Sequence, residues 1–484
     1  MTSLESLTSP VAFLRQMINS LPHEDALQAY EAFWEAEGRA ISFNVDRAGT
    51  PWLQMFDPFG ERVDTIQFPP EYWRMLRAGY KAGVVWRAFE DDSLLAPYLL
   101  GYITSFYDPG VYCPYIVSLS TAIPLHKYGN EVARTRFLPP LLRRDDTVWQ
   151  GATWMTEARG GSDLGAAVET IARPEGDHWL LTGDKYFASN AGAELAIVAA
   201  RPEDAPQTVR GLALFLVPRL RKDGRLNYTI RRLKDKIATR SVPTGEVELR
   251  DSEAYLLGRP EWGIYLILEA LNLSRVANSV ASVALMQRAM ADALHFAEGR
   301  TAFGRPIVEH PLLRQQFEEH MHELRLAFVL AWESVRLLDE VWRETPRYPA
   351  RYHLFRLVAH LAKYWTADIA AQAARWAMEV YGGMGTLAEY GVERWLREAM
   401  ILTIWEGTPH RQILDGLEAM ERKAAHQKLF EHLAATTPVN PQALEAMAAR
   451  VEDHLALPGD EKEATAQPLF RDLAVFTAEA LAGR

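Results

Sequence analysis

Val148-Trp149-Gln150-Gly151-Ala152-Thr153-Trp154 marks a change of texture in the chain. Upstream, from about Val11 to Arg144, apolar residues recur at helical spacing, and the Pro-rich interruptions Phe68-Pro69-Pro70 and Phe137-Leu138-Pro139-Pro140 read as helix boundaries. Downstream, Val168–Ala172, Trp179–Thr182, Leu195–Ala199, Leu212–Val217 and Val247–Leu249 are short β-branched or aliphatic runs separated by Gly, Asp or Pro. They predict a β domain. No long helix falls between them, which argues against βαβ crossovers and a doubly wound parallel sheet. After Gly263 helical spacing returns through Ile264–Glu298, Leu312–Trp342, Arg351–Tyr381 and Glu389–Trp405, long enough to imply an antiparallel bundle. Glu421 to Arg484 reads as two or three short helices set apart by Pro438, Pro441 and Pro458-Gly459. The expected class is mostly α with a central β domain: an N-terminal helical domain over 1–147, a middle β-barrel or sandwich over 148–260, a four-helix bundle over 261–420 and a helical appendage over 421–484.

At 484 residues and 48% hydrophobic content the chain can fill two or three cores. A formal charge of −11 disfavours a dedicated polyanion binder, because nucleic-acid affinity rests on Lys and Arg neutralising phosphates. The single cysteine, Cys113, excludes an intramolecular disulfide and an all-Cys metal site, and its expected role is core packing. His320 and His322 are two apart on a helix, point to different faces and cannot form a His-x-x-x-His pair, so no metal is expected. Residues 1–30 show neither an export signal nor a transit pattern, which gives a cytoplasmic reading. No apolar stretch is both long and uncharged enough to span a bilayer.

Three short segments could carry chemistry. Met155-Thr156-Glu157-Ala158-Arg159-Gly160-Gly161-Ser162-Asp163 closes a β run, and its adjacent glycines and hydroxyls could bring donors against a ligand; an ordinary Gly-rich turn reads the same way. Tyr381-Gly382-Gly383-Met384-Gly385 follows a helix rather than a strand and fails the Rossmann test, which leaves a helix C-cap turn as its bare reading. In Trp405-Glu406-Gly407-Thr408 a carboxylate sits between an apolar helix and a glycine. Held against Trp405, Ile404 and Ile401 it would be poorly solvated and its pKa raised toward general-base range; a surface Glu at a helix end is the alternative. The run Arg219 to Arg240 is basic and could meet phosphates or simply be solvated.

In this order these segments, with Lys185-Tyr186-Phe187-Ala188-Ser189-Asn190 and Arg300-Thr301-Ala302-Phe303-Gly304, resemble the acyl-CoA dehydrogenase superfamily over roughly Tyr128 to Glu418. The resemblance implies an acyl-CoA dehydrogenase-like fold, usually a homotetramer, and a flavoprotein of fatty acid metabolism with FAD as cofactor. By similarity Met155, Thr156, Gly161, Ser162, Phe187 and Ser189 line the flavin of one subunit, with Thr408 near it. Arg300, Phe303, His310, Glu379, Gly382 and Gly383 reach the FAD of a neighbour, with Arg300 facing its pyrophosphate. Glu406 is the implied catalytic base, Ser162 and Arg275 the implied substrate contacts, acyl-CoA the substrate and electron-transfer flavoprotein the electron acceptor. Phe187, Ala302, Glu379 and Pro409-His410 depart from the usual Trp, Thr, Gln and Ser-Gln. Gly60-Glu61-Arg62-Val63-Asp64 with Phe68, and Lys234-Asp235-Lys236-Ile237-Ala238-Thr239-Arg240-Ser241-Val242-Pro243, are similar to the AidB-like alkylation-response branch. That branch carries a second reading, a DNA-binding or protective flavoprotein with little turnover. DNA is the disfavoured partner here, because residues 421–484 hold seven basic against ten acidic residues.

Overall fold

Two sets of residues fold around cores of their own in the computed structural model, which describes residues 4–483. One comprises Ala32–Thr104 and Asp108–Ser274; the other runs through Glu31 and resumes over Ser105–Tyr107 and from Arg275 onward.

In the first set the β domain is a closed barrel. Its strands are β3 (Gly151–Trp154), β4 (Ile171–Glu175), β5 (His178–Ser189), β6 (Leu195–Pro202), β7 (Ala213–Pro218), β8 (Thr229–Leu233) and β9 (Thr244–Leu257). β6, β4, β5, β9 and β7 pair in that order and β7 pairs back on β6, so the ring closes; β3 adds to β6 and β8 to β9. Closure leaves no ring edge open and encloses Trp154, Leu181, Val198, Phe215, Val217 and Val247. Pairing is mostly antiparallel, with β3–β6 and β4–β6 parallel. Strands β5 and β9 are 12 and 14 residues long, well beyond the predicted Trp179–Thr182 and Val247–Leu249. They turn corners through two register shifts, at Leu181/Gly183 and Lys185/Ala188, and such shifts break the alternation by which a strand is read.

The upstream stretch is helical, as expected, except for one hairpin that helical spacing conceals. Strands β1 (Trp52–Phe56) and β2 (Arg62–Gln67) pair antiparallel across Asp57-Pro58-Phe59-Gly60, where the Asp57 carboxylate accepts from the amides of Phe59 and Glu61, each at 2.9 Å. The hairpin is tied to the barrel by the fully buried Asp64, whose Oδ2 accepts from Ile230 N at 2.8 Å and whose carbonyl accepts from Arg219 at 2.6 Å. Pro70 opens a helix and Pro139-Pro140 lie in the last turn of another, Glu131–Leu141, so both interruptions fall at helix boundaries as the sequence suggested. Beyond them Leu142 N closes on the Pro139 carbonyl at 3.1 Å and Trp149 N on the Pro140 carbonyl at 3.0 Å.

The second set is a helical bundle of Gly263–Gly299 (from Arg275), Pro311–Val341, Ala350–Tyr381 and the pair Val392–Ile404 and Pro409–Lys423. Ala350–Tyr381 is buried on nearly every face, because its Ala-rich surface lets at least five neighbouring helices close on it. The last stretch forms Ala425–Thr436, Pro441–Leu455 and Gly459–Ala482, and the final helix is a long one that packs along Pro311–Val341 rather than a short terminal piece. Among the described residues no helix is long and apolar enough to cross a membrane.

Candidate active site

On the barrel, hydrogen bonds gather the residues that the sequence assigned to the flavin. Trp154 Nε1 donates to the Ser189 carbonyl at 3.0 Å and Tyr186 N to the Thr156 carbonyl at 3.0 Å, which sets Met155 and Thr156 beside the β5 segment carrying Phe187 and Ser189. Phe187 lies within the Lys185/Ala188 register shift, so it escapes the inward alternation and stands 52% exposed. The turn after Thr156 is anchored from below. Lys185 Nζ reaches Glu157 Oε1 at 2.6 Å, and the same carboxylate accepts from Glu169 N, Thr170 N and Thr170 Oγ1. Burial raises the Glu157 pKa, but the Lys185 charge and these bonds outweigh it and the net direction is down. Gly160 is obligatory, because a Cβ there would lie 2.2 Å from that of Ala167. Gly161 and Ser162 follow on the exposed side of the turn.

A second group collects at one end of the bundle. Phe296 stacks on Tyr381 at 4.1 Å, so the segment after Gly299 and the turn after Tyr381 emerge together. Arg300 begins the first; it is exposed and has no ion pair among the described residues. Phe303, with φ of +51°, is 96% exposed, and His310 Nε2 meets the Ala302 carbonyl at 3.1 Å, closing the small hairpin. Gly382 and Gly383 are exposed with open space on their Cβ sides, and Glu379 pairs with Arg375 at 3.2 Å. An exposed aromatic ring, open glycine backbone and a cation without an acid are what the ring and pyrophosphate of a flavin nucleotide would use.

The third group surrounds Glu406. The Val392–Ile404 helix stops at Trp405, and the chain then takes φ of +57° at Glu406 and +102° at Gly407. A Glu in left-handed conformation is disfavoured by roughly 1–2 kcal/mol, so the surroundings must hold it. They do so through carbonyls. Arg275 Nε and Gln412 Nε2 each donate to Glu406 O at 3.1 Å, Gln412 Nε2 also to Gly407 O at 3.0 Å, and Lys363 Nζ to Gly407 O at 2.7 Å and Thr403 O at 3.0 Å. His360, fully buried, fixes the Gln412 amide at 2.9 Å, and Asp415 holds Arg275 at 3.0 Å. Trp405 Nε1 bonds Asn278 Oδ1. The Glu406 side chain keeps some exposure within this packed neighbourhood; desolvation raises its pKa to about 7, against the lowering charges of Arg275 and Lys363. The Glu406 backbone N–H donates to no group of the chain among the described residues.

The expected desolvation of Glu406 is present, although its cause differs in detail from the sequence reading: Ile404 is 55% exposed and helps little. Lys363, His360 and Gln412 were missed, since nothing local marks a Lys on a helix as buried. Arg275, implied as a substrate contact, is only 4% exposed and sits on Glu406 O and Asp415. Thr408 follows directly and starts the Pro409–Lys423 helix. The Arg300 group does not join this one: 25 residues of continuous helix separate Arg275 from Arg300, a rise of roughly 37 Å. Elsewhere the basic run Arg219–Arg240 is met by acids of the barrel: Lys222 by Asp177, Arg225 by Asp223, Arg231 by Asp184 and Glu248, Arg232 and Lys234 by Glu246.

Comparison with known proteins agrees with this arrangement. Residues 152–252 match the acyl-CoA dehydrogenase middle domain, 261–421 the acyl-CoA dehydrogenase C-terminal domain, and 12–145 the adaptive response protein AidB N-terminal domain. The AidB protein of Escherichia coli (strain K12) is 28% identical over 445 residues, covering 88% of this chain and 80% of that protein. The short-chain specific acyl-CoA dehydrogenase of human mitochondria is 30% identical over 295 residues, covering 60% of this chain and 67% of that protein. The crystal structure of Caenorhabditis elegans ACDH-11 in complex with C11-CoA superposes with a TM-score of 0.85 at 25% identity, covering 98% of this chain and 85% of that one. The chain belongs to the acyl-CoA dehydrogenase family and carries the N-terminal domain of its AidB branch.

Proposed function

We propose that this protein is an FAD-dependent dehydrogenase that removes hydrogens from Cα and Cβ of an acyl-CoA thioester, with Glu406 as the base for the α-proton. One observation carries the reading: a carboxyl raised to about 7 by burial, on a backbone held rigid by Arg275, Gln412 and Lys363. A base near the working pH combines a populated carboxylate with useful proton affinity. The unengaged Glu406 N–H is a donor for the thioester oxygen, which would acidify Cα by stabilising enolate charge. FAD, when bound, accepts the β-hydrogen with its electron pair.

The residues present suit that cofactor. Met155, Thr156, Gly161, Ser162, Phe187 and Ser189 of the barrel would hold it, with Gly161 and Ser162 exposed. Arg300 follows a helix end roughly 37 Å from Arg275, too far for it and its neighbours Phe303, His310, Glu379, Gly382 and Gly383 to join Glu406 within one chain, which supports their serving a neighbouring copy in a homo-oligomer, a tetramer by family likeness. Arg275 acts here on the Glu406 peptide rather than on CoA. The likeness to a protein in complex with C11-CoA favours an acyl thioester as ligand, and electron-transfer flavoprotein is the proposed acceptor. Anaerobic addition of acyl-CoAs of graded chain length, C11-CoA among them, to the FAD-loaded protein tests the reading: flavin bleaching by at least one is expected, and none would overturn it.

The AidB N-terminal domain favours a second reading, a DNA-binding or protective flavoprotein. The charge placement weighs against it, because most cations of the basic run meet acids of the barrel and the appendage pairs Arg422, Lys428, Arg450 and Lys462 with its own or neighbouring acids.

A further inference from the structure

Lys363 stands one turn along the Ala350–Tyr381 helix from His360, is 1% exposed, and contacts no carboxylate within ion-pair distance among the described residues. Its Nζ instead bridges the carbonyls of Thr403 and Gly407, which flank Glu406. Burying an ammonium without a direct anion is costly, and a Met of similar length would pack there without that cost. A side chain kept in so unfavourable a place is placed for its charge and its donors.

We propose that Lys363 is a positioning residue for the base: it clamps the carbonyls on both sides of Glu406, and its positive charge keeps the Glu406 carboxylate ionised. This rests on Glu406 being the base. The clamp follows from the geometry, since the two bonded carbonyls span the left-handed residue and fix the exit of the helix relative to Gly407. It also suits a helix C-terminus, whose last carbonyls favour a cation.

Several ionisable neighbours bear on that charge. Arg275 faces the pair from the Gly263–Gly299 helix, Arg356 and His360 from the helix of Lys363, and Arg411 and Asp415 from Pro409–Lys423. Burial and Arg275 take His360 down to about 3, so it is neutral at working pH. Asp415 is bonded to both Arg275 and Arg411 and is held below the usual range: burial opposes this, but His360, Arg275 and Arg411 outweigh it. Lys363 is the cation of this group that burial brings down to about 7, with Arg275 adding to the fall and Glu406 opposing it. Its ammonium and the Glu406 carboxylate therefore favour one another, and the two titrate as a coupled pair. When Glu406 takes up a proton, the charge that favours the Lys363 ammonium disappears.

Two substitutions separate clamp from charge. Lys363→Gln keeps N–H donors and removes the charge; Lys363→Met removes both. In the FAD-loaded protein the Glu406 carboxyl is followed by infrared titration, isolated by subtracting the Glu406→Gln spectrum. Removing a positive neighbour raises a carboxyl pKa, so the midpoint should rise by about one pH unit, a tenfold change in ionisation, in both variants. The acid limb of flavin reduction by C11-CoA should shift upward by the same amount. At high pH Lys363→Gln should approach the wild-type plateau, while Lys363→Met should fall about tenfold or more, because its base is no longer held in line. A midpoint unchanged in the Gln variant overturns the charge role, and a wild-type plateau in the Met variant overturns the clamp. The nitrogen shift of labelled Lys363 in the unsubstituted protein gives a check that needs no new side chain at 363: it should step with Glu406 and lose that step in Glu406→Gln, and no shared step overturns the coupling. If no acyl-CoA reduces the wild-type flavin, the dehydrogenase reading fails by itself, while the titrations still decide what Lys363 does.

Discussion

Two of the buried lysines near glutamates, Lys185 and Lys363, are used in opposite ways. In the barrel Lys185 meets Glu157 directly at 2.6 Å, and Thr170 and the Glu169 amide complete the carboxylate's bonds. That carboxylate is held below its usual range. In the bundle Lys363 bonds only carbonyls, and Glu406 is lifted to about 7. The two lysines are equally buried, yet the chemistry differs because a carboxylate whose acceptors are filled is locked as an anion, whereas one left with distant charges alone can take a proton. The satisfied pair anchors the turn after Thr156; the unsatisfied one is left able to take up a proton near neutral pH.

Breaking the first pair should have the largest effect. Glu157→Gln leaves Lys185 buried without its anion, and urea unfolding should show a loss of about 3–5 kcal/mol, the usual scale for half of a buried ion pair removed. Full stability in this variant would mean that Lys185 simply deprotonates and the barrel does not depend on the pair.

Glu406→Gln should sharpen the contrast from the other side. Unfolding free energy should change little, FAD should stay bound, and flavin reduction by a competent acyl-CoA should slow by about a hundredfold or more. Reduction in the wild type should rise with pH through the region near 7, because the carboxylate is the active form and burial has raised its pKa there. Equal rates in the Gln variant would make Glu406 as structural as Glu157.

Arg300→Ala removes an exposed cation with no acid of its own. FAD affinity should weaken by about tenfold or more, the scale of a lost charge-assisted hydrogen bond, and the assembly should loosen with it when followed by sedimentation. Retention of FAD at wild-type affinity would separate this bundle end from the cofactor. The smallest response is expected with duplex DNA, since most cations of Arg219–Arg240 already face acids. Mobility shifts should be weak at physiological salt, and tight, steeply salt-dependent binding would revive the AidB-like alternative.

Sequence alone determined the succession of helical, β and helical regions, because periods of two and 3.6 are local properties of side-chain order. It also singled out Glu406, where an apolar helix end runs into a glycine. It lost the hairpin Trp52–Gln67, short and embedded in helical text, and cut β5 and β9 short at register shifts that depend on the partner strand. Tertiary structure alone decided which cations attend Glu406: Arg275 lies 131 positions from Glu406, and Lys363 lies 44 from the Gly407 carbonyl it holds. A pKa depends on distances and burial summed over the folded neighbourhood, and no local spacing encodes the encounter of helices that far apart in sequence.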